Sequence, residues 1–378
     1  MLQPSFEVGP IRPPSEATSL LVRVSRHCPW NRCTFCPVYK CERFSLRSLE
    51  EILGDISAMA EAARRVEERA AERPGGAVDS TLLRQLVSED PQALQVAVFL
   101  AEGGKSAFLQ DADSLVLPPE KLAEVLEALH GAFPRLQRVT SYARARTLVR
   151  RTVEDLQRLR EAGLNRIHVG LESGADVVLK AVDKGATAEQ QIEAGRRVKA
   201  AGMELSLYVM PGLGGRAHSA VHARETARVL RAIDPHFVRL RSLAVPPGSP
   251  LHEAQERGDF EALSELEVVR EIRELVAGLE GMTSTLQSDH VLNLLGDLEG
   301  TLPADHGQLL ALLDTFLGLD EERQELFVVG RRLGLLTRPM DLFDELLEQR
   351  VRGARERLML AFGGDLETAM RELRLRFI

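Results

Sequence analysis

The hydrophobic pattern of this chain changes period several times, and the changes divide it. Leu20, Leu21, Val22 and Val24 form a short apolar run of the kind a buried strand presents. Further strand-like runs fall at residues 106–110, 137–140, 166–169, 203–208 and 236–240. Between them, apolar residues recur at helical spacing over 119–131, 152–162, 187–201 and 219–232. Strands separated by amphipathic helices predict a parallel sheet with right-handed crossovers. Six such strands give an α/β fold, a partial (β/α)6 barrel of the TIM type, and residues 283–286 add one more edge strand.

The first crossover is unlike the others. Ser48 caps a helix whose apolar face runs through Ile52, Ile56 and Met59 into the charged stretch 61–72, and Arg73-Pro74-Gly75-Gly76 stops it. A second helical patch covers 80–100. A parallel crossover needs only about 12 residues, so 54–104 is expected to be a helical insertion. Ahead of the first strand, four prolines within residues 1–19 predict an extended arm. Toward the C-terminus the pattern is mostly helical, over 261–279, 290–298, 308–319, 321–336 and from 340 to the end. The expected organisation is an arm (1–17), a core (18–255) and a mostly helical C-terminal region (256–378).

Composition narrows the class without naming a chemistry. At 378 residues and 44% apolar content, the chain is an ordinary globular one. A net charge of −8 argues against a broad nucleic-acid-binding surface while leaving room for a local basic pocket. No run of about 18 apolar residues is present to span a membrane. The start, MLQPSFEVGPIRPPSEA, has neither the basic opening nor the apolar core of a signal peptide.

The chemistry is concentrated in one loop. All four cysteines lie within RHCPWNRCTFCPVYKC, just after the first strand. Cys28, Cys33 and Cys36 stand in a C-x4-C-x2-C array, with Cys41 five residues further on. Soft metals and iron–sulfur clusters select thiolates. Three is an informative count, because a cluster held by three protein ligands keeps one iron open. A zinc site completed by His27 or Cys41 would use the same residues. The spacing also matches the start of plant-type ferredoxins, but those need a distant fourth cysteine, and none follows Cys41. A disulfide pair is the remaining reading, in a chain without a secretory signal.

This array, on the first strand of an α/β chain, resembles the radical S-adenosylmethionine (SAM) superfamily. Phe35, just before the last cysteine of the array, is similar to that family's aromatic residue there. The family's commonest spacing is C-x3-C-x2-C, and this loop is one residue longer. The resemblance covers about residues 18–255. It implies that Cys28, Cys33 and Cys36 hold a [4Fe–4S] cluster whose open iron binds SAM. It further implies reductive cleavage of SAM, hydrogen abstraction from an unknown small-molecule or macromolecular substrate, and an electron donor of the flavodoxin or ferredoxin type. Such a cluster needs a reducing compartment, so a cytoplasmic setting is expected.

The strand ends carry the rest of the resemblance, and ligands of such sheets gather at carboxyl ends of strands. By position, Gln110, Asp111 and Asp113 stand where the family's Gly-Gly-Glu segment meets the amine of SAM. Ser141 and Arg144 end the third strand. HVGLESGADVVLKAVDKG followed by YVMPGLGG resembles the family core. That places Glu172, Ser173, Lys184, Pro211 and Gly212 near the ribose, the methionine carboxylate and the adenine. The chemistry suits the roles. A carboxylate can accept both ribose hydroxyls, a Lys can pair with a carboxylate, and glycine lets backbone approach closely. Each also has a plain reading: a helix-start carboxylate, a surface charge, an ordinary turn.

Three further groups stay open. Arg144, Arg146, Arg150 and Arg151 could hold an anion or simply open a helix. Arg239 and Arg241 share one face of a strand and require anionic partners if buried. Ser288-Asp289-His290 could face a cavity or cap a helix. Beside the enzyme stand two other readings of the whole chain: a carrier or chaperone that binds cluster and SAM without turnover, and a zinc-binding structural module.

Overall fold

The computed structural model describes residues 5–73 and 75–375. Residues 1–4 of the arm and Pro74 of the helix stop therefore lie outside the described residues. The chain divides into two compact units. Unit one holds Met1–Asn31, Tyr39–Val169 and Glu193–Leu205; unit two holds Arg32–Val38, Gly170–Ile192 and Ser206–Ile378.

In unit one, β1 (Leu20–Arg23) is buried along its whole length. The short β2 (Ser25–Arg26) pairs antiparallel with β3 (Ser45–Leu46). The expected insertion then appears as α1 (Leu49–Ala71), α2 (Ser80–Glu89) and α3 (Pro91–Ala101). Ser48 and Glu51 close a capping box at the start of α1. The second patch is two helices rather than one. Asp90 accepts from the Ala93 N–H and Pro91 takes the first position of α3, so the chain restarts there. Val66 and Ala70 of α1 pack with Leu82, Leu86, Ala93 and Ala97 to give the insertion its own core.

The regular alternation follows with β4 (Ser106–Gln110), α4 (Pro119–Ala132), β5 (Arg138–Ala143), the one-turn α5 (Ala145–Leu148), α6 (Val153–Glu161) and β6 (Leu164–Glu172). β1 pairs parallel with β4, with Arg23 opposite Gln110. β4 pairs parallel with β5, and β5 with the unit-one part of β6.

Next come α7 (Asp176–Ala181), α8 (Ala188–Ala200), β7 (Glu204–Val209), α9 (Gly215–Ile233) and β8 (Phe237–Leu240). Then follow α10 (Pro250–Glu256), α11 (Glu265–Ala277), β9 (Thr285–Gln287) and β10 (Gly300–Thr301). The chain ends with α12 (His306–Leu317), α13 (Glu321–Arg332), α14 (Glu345–Ala361) and α15 (Leu366–Leu375). In unit two, β7 pairs parallel with β8 and β8 with β9, while β10 runs antiparallel to β9.

The six expected strands are thus all present, in the α/β succession of a partial (β/α)6 barrel, and β9 is the added edge strand. One expectation fails. Residues 290–298 are a loop, not a helix. Leu292, Leu294, Leu295 and Leu298 are buried there because Asn293 anchors the loop, accepting from the Ser242 N–H and donating to the Leu240 carbonyl, each at 2.8 Å. Among the described residues no helix is long and apolar enough to cross a membrane.

Candidate active site

The cysteine loop begins where β1 and β4 end. Arg23 closes β1, and its guanidinium gives two hydrogen bonds to Asp111, at 3.0 and 2.6 Å. Asp111 is fully buried and also accepts from the His27 N–H at 3.0 Å and from the Tyr39 hydroxyl. Glu7 of the arm pairs with Arg23 and Arg26, and Arg47 bonds Asp55 at 2.6 Å, so the buried charges around the loop's root are matched. Within the loop, the Asn31 side-chain amide donates to the Tyr39 and Glu42 carbonyls. The Asn31 N–H points at the Cys28 sulfur from 3.4 Å.

Trp30, the only tryptophan in the chain, carries two guanidiniums over its ring. Arg144 and Arg146 lie 5.0 and 5.4 Å from its centroid. The basic run after β5 thus turns toward an aromatic ring at Arg144 and Arg146. Arg151 instead binds the carbonyls of Leu115, Val116 and Leu117.

All four thiols are free; Cys28, Cys33 and Cys36 are half-buried and Cys41 is exposed. Cys28 belongs to unit one, Cys33 and Cys36 to unit two. Among the described residues no group of three or more His, Cys, Asp or Glu stands ready-made to hold a metal ion. The donor chemistry nonetheless fits an iron–sulfur cluster, since three accessible thiols offer soft ligands. His27 is a poor fourth ligand. Its Nδ1 lies 2.8 Å from the Arg43 carbonyl and its Nε2 lies 3.7 Å from the Glu42 carboxylate.

In unit two, β6 finishes at Glu172. Its φ is +63°, a left-handed conformation that a non-glycine residue holds only when neighbours enforce it. The carboxylate meets Lys184 at 2.9 Å, with side-chain exposures of 12% and 14%. Gly170 makes room for the pair. A methyl group there would fall 2.1 Å from Glu172 Oε1 and 2.9 Å from Lys184 Nζ. Lys184 also stands 5.8 Å from the ring of Phe35, which packs on the apolar cluster of Val178, Met210 and Leu213.

The turn after β7 is held from behind by groups that the sequence reading missed. Glu271 of α11 is buried and accepts from the Gly212 N–H at 2.6 Å and from the Ser219 hydroxyl. Burial pushes its carboxyl up to about 7, against those two bonds. His222 of α9 sits 3.6 Å from Glu271 and 2.8 Å from the Ser173 hydroxyl oxygen, and burial lowers its imidazole to about 4. Both lie on helices whose apolar spacing gives no hint of a polar pair. Of the expected site residues, only Gly212 lines a cavity of about 760 Å³, whose walls include Leu243, Val268 and Met370.

Several expected contacts are engaged elsewhere. Gln110 bonds the arm backbone at Gly9 and Ile11. Asp113 is fully buried, bonds Thr147, and burial pushes its carboxyl up to about 6. Ser141 donates to the Tyr142 carbonyl at 2.9 Å, and Ser173 accepts from the Ala175 N–H at 3.0 Å. Arg239 pairs with Asp289, meeting the expectation of an anionic partner. Ser288 bonds the Leu295 carbonyl, and no helix follows for it to cap. His290 is lowered to about 4 by burial and then by Arg241.

Residues 89–223 match the family model described as the radical SAM superfamily. A tRNA uridine(34) acetyltransferase of Methanocaldococcus infernus is 25% identical over 121 residues, 32% of this chain and 22% of that protein. A biotin synthase of a Synechocystis species is 28% identical over 141 residues, 36% of this chain and 38% of its own length. The matched region thus spans well under half the length of either relative. Coproporphyrinogen III oxidase from Escherichia coli overlaps 69% of this chain and 52% of its own, at 15% identity and a TM-score of 0.43.

Proposed function

We propose that this chain, a radical SAM superfamily protein by its match over residues 89–223, is an enzyme that cleaves SAM reductively and abstracts hydrogen from a substrate. A [4Fe–4S] cluster held by Cys28, Cys33 and Cys36 and SAM itself are its cofactors. The reading is carried by the cysteine array: three free, half-buried thiols at C-x4-C-x2-C spacing in the loop that follows β1. When bound, the cluster supplies an electron and an open iron for the amine and carboxylate of SAM.

The chain's own residues bind and orient. In this reading Glu172 accepts the ribose hydroxyls and Lys184 pairs with a carboxylate, each exchanging its present partner for the ligand. Pro211 and Gly212 offer backbone to the adenine, in a turn that Glu271 fixes through the Gly212 N–H. Arg144 remains a cationic neighbour of the loop through Trp30. Gln110 bonds the arm backbone, Asp111 carries the donors of the cysteine loop and Asp113 bonds Thr147 through one oxygen, so a SAM contact at any of them would share or exchange these partners. A flavodoxin- or ferredoxin-type donor and a reducing, cytoplasmic setting belong to the same proposal.

Anaerobic reconstitution tests it. The protein should hold about four irons and four sulfides per chain and form 5′-deoxyadenosine from SAM under reduction. Alanine at Cys28, Cys33 or Cys36 should abolish both, while Cys41→Ala should leave both intact. A chain that takes up one zinc and forms no 5′-deoxyadenosine would overturn the assignment.

A further inference from the structure

Four hydrogen bonds converge on the buried carboxylate of Asp111: two from Arg23, one from the His27 N–H and one from the Tyr39 hydroxyl. These donors come from both sides of the array, since His27 immediately precedes Cys28 and Tyr39 lies three residues beyond Cys36. We propose that Asp111 is the positioning residue of the cysteine loop, fixing the backbone around Cys28 so that its thiol is presented before any cluster binds. The inference rests on the reading of that loop as a cluster site and deepens it.

The connection to the sulfur can be followed bond by bond. Asp111 holds the Tyr39 ring; the Tyr39 carbonyl holds the Asn31 amide; the Asn31 N–H faces the Cys28 sulfur at 3.4 Å. On the other side Asp111 holds the His27 N–H directly. His27 and Asn31 have φ of +66° and +46°, conformations that persist at non-glycine residues only where neighbouring bonds enforce them. Three of the donors, two from Arg23 and the His27 N–H, fall on Asp111 Oδ2, and the Tyr39 hydroxyl falls on Oδ1. The arm closes the remaining side: a methyl group at Gly9 would lie 2.9 Å from Asp111 Oδ1.

The test begins with metal-free protein. In Asp111→Asn, alkylation of Cys28 by iodoacetamide, followed by mass spectrometry, should run at least about tenfold faster, the effect of one lost charge-assisted bond. In Tyr39→Phe the gain should be a smaller multiple. After reconstitution, iron release to a chelator should quicken in the same order, with SAM affinity per cluster unchanged. Leu86→Ala, which opens the insertion core, controls for general destabilisation and should leave Cys28 near the wild-type rate. If Asp111→Asn does not fold, Tyr39→Phe carries the test alone, since it removes a single hydroxyl.

Unchanged alkylation in both variants overturns the proposal, as does equal acceleration in Leu86→Ala. Lowered SAM affinity with an unchanged Cys28 rate would make Asp111 a ligand contact instead. Should the alkylation pattern hold while wild-type protein takes up no cluster, the cluster reading fails and the positioning role stands.

Discussion

The carboxylates at the ends of β4 and β6 look equivalent in the sequence and are opposite in the structure. Asp111 is fully buried and surrounded by donors that all belong to the protein, with the Arg23 guanidinium as its counter-charge. Glu172 has one cationic partner, Lys184, side-chain exposure of 12%, a left-handed backbone, and a glycine two residues earlier that keeps the space around its carboxylate open. In the proposed reading the first carboxylate builds a loop and the second exchanges its partner for a ligand. Counting donors around a carboxylate, rather than noting its place on a strand, separates the two roles.

The largest expected effect sets these two against each other in stability. Asp111→Ala takes one of the two carboxylate partners of Arg23, leaving Glu7, and strips the His27 N–H and the Tyr39 hydroxyl of their acceptor, which should cost about 3–5 kcal/mol. Glu172→Ala removes a single bond, to Lys184, from a pair whose side chains are 12% and 14% exposed, and should cost less, about 1–3 kcal/mol. Urea denaturation of both variants measures the difference directly. Equal losses would mean that Glu172 is as much a structural residue as Asp111, and the contrast would collapse.

In binding the order should reverse. Glu172→Gln keeps the size of the side chain but removes the charged acceptor. A lost charge-assisted bond is worth about 1.5–3 kcal/mol, or roughly ten- to a hundredfold in SAM affinity. Calorimetry on reconstituted protein should show that loss while the thermal midpoint stays at the wild-type value. Full affinity with a lowered midpoint would return Glu172 to the role of a helix-start residue.

Much of this was legible in the residues, for reasons that explain what was not. The six strands and their helices follow from the apolar pattern, because the helices bury one face and the buried strands read as short apolar runs. The cysteine array is legible because thiols are rare and their spacing carries meaning. By contrast, the leucines of 290–298 have helical spacing yet pack as a loop, because the Asn293 side chain substitutes for backbone pairing. The roles of Asp111, Glu271 and His222 depend on partners distant in the chain. Tyr39 reaches Asp111 across 72 residues and Glu271 reaches Gly212 across 59, and no local pattern encodes such pairs.

Glu271 supplies the smallest and sharpest extension of the comparison. Like Asp111 it is a buried carboxylate holding backbone at a strand end, but its partners are an N–H, a hydroxyl and the His222 imidazole, with no guanidinium among them. Burial therefore wins over hydrogen bonding and raises its carboxyl from 4.5 to about 7. Between those values the folded protein binds a proton that the unfolded chain has lost, so Glu271 makes stability fall as pH rises from 4.5 to 7. His222 acts in the opposite sense. Its folded value of about 4 lies below its usual 6.5, so stability rises as pH climbs between them. In the wild type the two slopes oppose each other where the windows overlap. Glu271→Gln mimics the protonated acid and removes only the falling slope. The variant should match the wild type near pH 4.5 and gain on it by roughly 3 kcal/mol by pH 7. Urea midpoints across that range read the gain. Parallel curves would show that Glu271 is already ionised when buried, and that a carboxylate at this strand end needs no cation to carry its charge.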